Sequence, residues 1–167
     1  MEVTARGGKA RTNALDDAID FGEVSPAVNE ILQRGVALNR HDRDAADAAF
    51  REALAVDPTQ LATWFCLYKI HTYSGNLDAA LAAAEGGLRE AARAANLSPD
   101  WHLWRPDEMN LDGPARFALY TLKALAFIRM RRDERDAARA LLDELARLDP
   151  GDAVGASVVA AIWAGAA

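Results

Sequence analysis

Three histidines, one cysteine and a scatter of carboxylates are the groups in this chain that could support acid–base, nucleophilic or metal chemistry. Their spacing argues against each. His41, His71 and His102 have no second His or Cys at ligand spacing, so no metal site is expected. Cys66 sits inside the apolar run TWFCLYKI, where a lone thiol acts as a small buried hydrophobe rather than a nucleophile. Gly7-Gly8 precedes no strand, and Gly86-Gly87 lies in a helical pattern, where small residues serve close helix packing and not phosphate binding. In RRDERDAARALLDEL the acids alternate with arginines at helical spacing, the pattern of a solvated face with weak ion pairs. No nucleophile and base converge, so neither an enzymatic activity nor a cofactor is expected. The residues best suited to a site are instead those of binding. The stretch SPDWHLWRPDEMNLDGP gathers Trp101, His102, Trp104, Arg105, Met109 and Leu111, large amphipathic side chains of the kind that anchor interfaces. One of its tryptophans is expected to plug a gap between helices, and the role of the other is open.

The elements that must position these residues repeat. In DAADAAFREALAVDP, Ala46, Phe50 and Ala53 fill small, large and small slots before Asp57-Pro58 ends the helix. Moving on by 34 residues finds Ala80, Ala84 and Gly87. Ala138, Leu142 and Leu145 restate the slots before Asp149-Pro150, with about 24 residues inserted beyond the period. A period near 34 predicts stacked helix–turn–helix units. Ser25-Pro26 starts the first helix, which runs to about Asn39. Asp42 or Asp44 caps the second, and Asp57 with Gln60 caps the third, which runs to about Tyr73. Ser74-Gly75-Asn76 turns into a fourth, with no breaker until Pro99. Pro114 opens the fifth, Asp133 caps the sixth and Asp152 a seventh. The units are about 26–58, 59–95 and 114–150, with an insertion at about 96–113 and a capping helix at about 152–164. Residues 1–14 read as a disordered leader, and 15–167 as a single domain.

The pattern resembles the tetratricopeptide repeat family. Ala46, Phe50, Ala53 and Pro58 match the family's second helix and exit, and Trp64 and Leu67 match its first helix, where Tyr68 and His71 replace the usual Gly and Tyr. In the first unit Glu30, Gln33 and Arg34 stand at slots that are usually apolar or small. The resemblance implies an all-α, right-handed superhelical array of antiparallel helix pairs, with the first helix of each pair lining a concave groove. It places Phe65, Lys69, Thr72 and Tyr73 in that groove from the second unit. Tyr120, Lys123, Phe127, Met130 and Arg131 would join them from the third, and Val28, Ile31, Gly35, Leu38 and Asn39 from the first. The relatives that clamp two carboxylates of heat-shock chaperones use Lys, Asn and Arg at positions occupied here by Ile31, Gly35, Cys66, Tyr120 and Ala124, so that clamp is absent.

Composition narrows the class. A chain of 167 residues that is 51% hydrophobic and 26% charged can bury one core without disulfides. Its net charge of −6 opposes general nucleic-acid binding, and no segment has the length of a membrane span, so a cytoplasmic protein is expected. Abundant alanine and arginine hint at a high-GC bacterial source. The expected function is a non-catalytic adaptor or chaperone that holds a peptide with apolar anchors and a carboxylate. A pocket for a small molecule near Trp101, Trp104 and Tyr120 is the rival reading, and a secretion-type chaperone or docking on a second copy are further ones. Charge reversal of Lys69, Lys123 and Arg131 is expected to abolish binding without unfolding.

Overall fold

A computed structural model describes residues 24–165; the expected leader at 1–14 lies outside them. Among the described residues seven helices follow one another: α1 (Pro26–Leu38), α2 (Arg43–Val56), α3 (Leu61–Ser74), α4 (Leu77–Ala94), α5 (Gly113–Arg131), α6 (Arg135–Leu148) and α7 (Ala156–Gly165). There is no strand among the described residues. Each helix packs on the next, and α3 also meets α5, as α5 meets α7. The odd-numbered helices α3, α5 and α7 therefore form one continuous layer.

The slots that repeat in sequence form the core. Ala46, Ala80 and Ala138 are completely buried, as are Phe50, Ala84, Ala53 and Leu145. Small residues at these slots let neighbouring helices approach, and large ones fill the space between them. Each fully buried Leu or Phe contributes about 1.5–3 kcal/mol relative to exposure. Gly86 and Gly87 serve the close packing expected of them: the Trp64 ring lies across both, and a Cβ on Gly87 would lie 2.9 Å from the Trp64 Cβ. The Trp64 indole N–H donates to the Pro58 carbonyl at 2.9 Å, which holds the ring flat on α4.

Helix starts are partly as the sequence predicts. The Ser25 hydroxyl accepts from the Val28 amide and Pro26 opens α1; Asp42 accepts from the Ala45 amide and caps α2. Asp57 does not cap α3. Its carboxylate accepts instead from the Thr59 backbone amide at 3.0 Å, the Thr59 hydroxyl at 2.6 Å and the Gln60 side-chain Nε2 at 3.0 Å, closing a local turn, and the helix begins only at Leu61. Nor does Asp133 cap α6. It adopts φ 63° as the terminating residue of α5, with the Glu134 amide returning to the Arg129 carbonyl at 2.9 Å. Asn96 ends α4 in the same way, at φ 54° with Leu97 N–H bonded to the Ala92 carbonyl, which stops the helix before Pro99. The last helix starts at Ala156, four residues later than expected, because Asp152 and Gly155 both adopt positive φ. The Asp152 carboxylate still reaches the helix start, accepting from the Ser157 amide at 3.1 Å.

Between α4 and α5 the insertion folds as two single 3-10 turns, Trp101–Leu103 and Pro106–Glu108. Trp104 is 1% exposed. Its indole donates to the Ser98 carbonyl at 2.7 Å, and Arg147 of α6 donates to the Trp104 carbonyl at 2.7 Å. Trp104 is thus the plug that joins the insertion to the third helix pair. The arginines around the α5–α6 turn do more than solvate a face. Arg129 pairs with Glu85 and Glu134, and Arg132 with Asp78 and Glu134, so one cluster ties α4 to α5 and α6. No described helix is long and apolar enough to cross a membrane.

Candidate functional site: a cationic, aromatic cleft between α3, α5 and α7

Period and side-chain direction bring one turn of α3 opposite two turns of α5. Lys69, Thr72 and Tyr73 from α3 and Tyr120, Lys123, Ala124 and Phe127 from α5 line a single cleft of about 200 Å³. Tyr68 forms its base, and Val159 and Ile162 of α7 its far wall. Six of the nine groove residues expected from the second and third units therefore share one cavity. Phe65 and Arg131 lie beside it. Phe65 is 2% exposed and packs edge-on to Tyr68, with ring centroids 5.5 Å apart, beneath the lining. Arg131 lies at the end of α5, where it donates to the Thr72 carbonyl at 2.8 Å.

The cations rest on aromatic faces. Lys69 Nζ lies 4.9 Å from the Phe65 centroid and 5.9 Å from that of Tyr73. Lys123 Nζ lies 4.3 Å from the Tyr120 centroid and donates to the Val154 carbonyl at 2.6 Å. Burial pulls the Lys123 ammonium below the usual lysine range, and the charges of Arg116 and Lys69 push the same way against the opposing pull of Asp152. Two like charges thus share a largely apolar cleft, and among the described residues that line it none is a carboxylate. An anion placed between them would relieve their repulsion in a setting where screening by water is weak.

The rim is apolar and open. Tyr73 is 70% exposed and Ile162 46%, large side chains left uncovered on opposite walls of the cleft. Below them Tyr68 is buried and its phenol lies well above its ordinary pKa, chiefly through burial. It stands beside Thr121, whose own hydroxyl donates to the Phe117 carbonyl at 2.8 Å.

The first unit does not reach this cleft. Val28 is completely buried and Gly35 packs against the Phe50 ring of α2, so neither lines a groove. Ile31 and Leu38 lie against the core, as does Met130 of α5, and Asn39 caps the end of α1. Sequence reasoning missed Val159 and Ile162, having assigned α7 only a capping role. The signal was present: VGASVVAAIWAGAA is apolar on every side, more than burying one face requires.

The insertion residues are dispersed. Trp104 is internal, while Arg105 is exposed and paired with Asp107 at 2.8 Å. Trp101 stacks on His102 with centroids 3.6 Å apart. Both line a second cavity of about 400 Å³ with Glu85, Arg89 and Arg129, which shares no residue with the first. Trp101, Trp104 and Tyr120 therefore do not form the single pocket considered from sequence.

Groups suited to covalent or metal chemistry are held elsewhere. Cys66 is buried and its thiol is pushed up to about 12. His71 Nε2 lies 2.6 Å from Asp47 Oδ1, bridging α3 to α2. Among the described residues no group of three His, Cys, Asp or Glu side chains could hold a metal ion. Comparison with models of known protein families, with curated proteins and with solved structures finds no match for this chain.

Proposed function

We propose that the chain is a tetratricopeptide-like, non-catalytic binding module, an adaptor or chaperone of the cytoplasm. It holds an extended segment of a partner protein in the α3–α5–α7 cleft. The observation that carries this reading is the cleft itself: two lysines seated on aromatic rings beneath an exposed apolar rim. Such a lining suits one apolar side chain with a carboxylate beside it. A volume of about 200 Å³ is below the roughly 300 Å³ at which small-molecule sites usually begin, which favours a peptide anchor over an enclosed ligand. The right-handed superhelix implied by the repeat pattern is part of this proposal. Its support is the burial of equivalent slots in all three helix pairs and the additional contacts of α3 with α5 and of α5 with α7.

Selection of peptides from a random display library tests it. Winners are expected to converge on an acidic residue next to a large apolar one, and to lose binding on Lys69→Glu. Failure to converge, or winners indifferent to that substitution, would overturn the reading. The second cavity favours one rival, a small ligand beside Trp101, because its volume of about 400 Å³ lies within the range for such sites. A ligand that quenches tryptophan emission in the native chain but not in Trp101→Phe would select that alternative.

A further inference from the structure

The cleft has a complementary segment within the same chain. Residues 15–23 read LDDAIDFGE, with Leu15, Ile19 and Phe21 as apolar anchors among Asp16, Asp17, Asp20 and Glu23. No lysine or arginine occurs between Arg11 and Arg34. This is the side-chain chemistry that two lysines in an apolar cleft would recognise.

The described chain also begins at a suitable place. The Ser25 amide donates to the Gln60 side-chain oxygen at 3.3 Å, which fixes the start of α1 beside the start of α3. From Gln60 to Lys69 the helix rises by about 13 Å, and to Tyr73 by about 20 Å. Residues 15–23 in extended form span up to roughly 30 Å. Counted from Ser25, Phe21 can reach about 14 Å and Ile19 about 21 Å, so the segment is long enough to run along α3 with Phe21 level with Lys69 and Ile19 level with Tyr73.

We propose that residues 15–23 occupy the α3–α5–α7 cleft in cis, with their carboxylates against Lys69 and Lys123, and that a partner segment must displace them to bind. The inference rests on reading the cleft as a peptide groove, and adds to it a built-in competitor. A tethered segment acts at an effective concentration on the order of millimolar, so even a weak intrinsic affinity raises the threshold for any partner.

Two measurements on the full chain test this. Zero-length carbodiimide coupling at low micromolar concentration, followed by proteolysis and mass spectrometry, is expected to join Asp16, Asp17, Asp20 or Glu23 to Lys69 or Lys123. The yield should be unchanged on dilution. Absence of these links, or a yield that falls with dilution as pairing between two copies would give, overturns the proposal. A labelled peptide spanning residues 14–24 is then titrated into the native chain and into the variant Leu15→Ser/Ile19→Ser/Phe21→Ser, both checked for helicity by circular dichroism. The variant should bind the peptide about tenfold more tightly or better, because its own competitor is disabled. Equal affinities overturn the inference. If affinities are equal while display-selected peptides still bind in a Lys69-dependent way, the groove reading stands and only the cis competitor falls; if nothing binds, both fall.

Discussion

Gly35→Ala tests how α1 meets α2, the junction on which the first repeat unit depends. An alanine inside a helix normally gains about 0.8–1 kcal/mol over glycine. Here the added Cβ would lie 2.8 Å from Cδ1 and 2.9 Å from Cζ of Phe50, and closer still to Cε1. The ring is completely buried, so it has no solvent into which to turn. Carbon atoms pack best at about 3.5–4.0 Å, which requires the ring to retreat by roughly 1 Å into a filled core. Overpacking of this kind costs about 1–3 kcal/mol, outweighing the propensity gain, so the net loss should be about 1 kcal/mol. In a Phe50→Leu background the clash is largely gone, and the same substitution should stabilise by up to about 1 kcal/mol. Urea unfolding of the four chains of this cycle provides the measurement. The midpoint should fall for Gly35→Ala alone and rise for it in the Phe50→Leu background, with the urea slope unchanged. A midpoint that rises in both backgrounds would refute the close approach of α1 to α2 at Gly35.

Three further outcomes follow from the packing. Trp104→Ala should cost about 3–5 kcal/mol by urea unfolding, whereas Trp101→Ala, on a ring only partly buried against the core, should cost less; equal losses would contradict the plug. Cys66 should resist alkylation at mildly alkaline pH until the chain is unfolded, since its thiol is pushed up to about 12 by burial; rapid native-state modification would contradict its placement. Burial raises the Asp47 pKa, but hydrogen bonds from Arg51 and His71 outweigh it and hold the carboxyl below 3.8. Its folded pKa is depressed, so its stabilisation is present above the unfolded value and is lost as pH falls through the folded one. The stability gap between native chain and Asp47→Asn should therefore shrink as pH falls through and below the ordinary aspartate value of 3.8, and a gap that persists in strong acid would be inconsistent with this pairing.

Much of this was legible because the period imposes burial. Ala46, Phe50 and Ala53 and their counterparts in the later units carry the core at fixed intervals, and Ser25-Pro26, Asp42 and Gly75 signal helix ends by local chemistry alone. What escaped was set by tertiary context. Asn96 and Asp133 take left-handed backbone, which glycine advertises best in sequence, and so Asp133 was read as the cap of α6 when it terminates α5. In α1 the small residue is Gly35, one position beyond the slot at Arg34. The turn at residues 39–42 is longer than its counterpart at 75–76, so a fixed spacing slips there. The cleft was legible on α3 and α5, where lysines and aromatics recur at helical spacing, but not on α7, whose wall comes from the fold-back of the chain. The structure also corrects the expected neutrality of charge reversal. Lys123 is bonded to Val154 and Arg131 to Thr72, so reversing either charge breaks a contact between distant parts of the chain.

That correction selects the decisive variant. Lys69→Glu combined with Tyr73→Ser changes the charge and the exposed rim of the cleft while leaving the Lys123–Val154 and Arg131–Thr72 bonds in place. The most direct test of the groove is affinity enrichment from an extract of the source cell, comparing the native chain with this double variant after circular dichroism has shown both to be helical. The account predicts a protein retained by the native chain and lost by the variant, and a peptide from that protein, acidic and apolar, that binds the native chain in isolation. The same proteins recovered on both chains would contradict it.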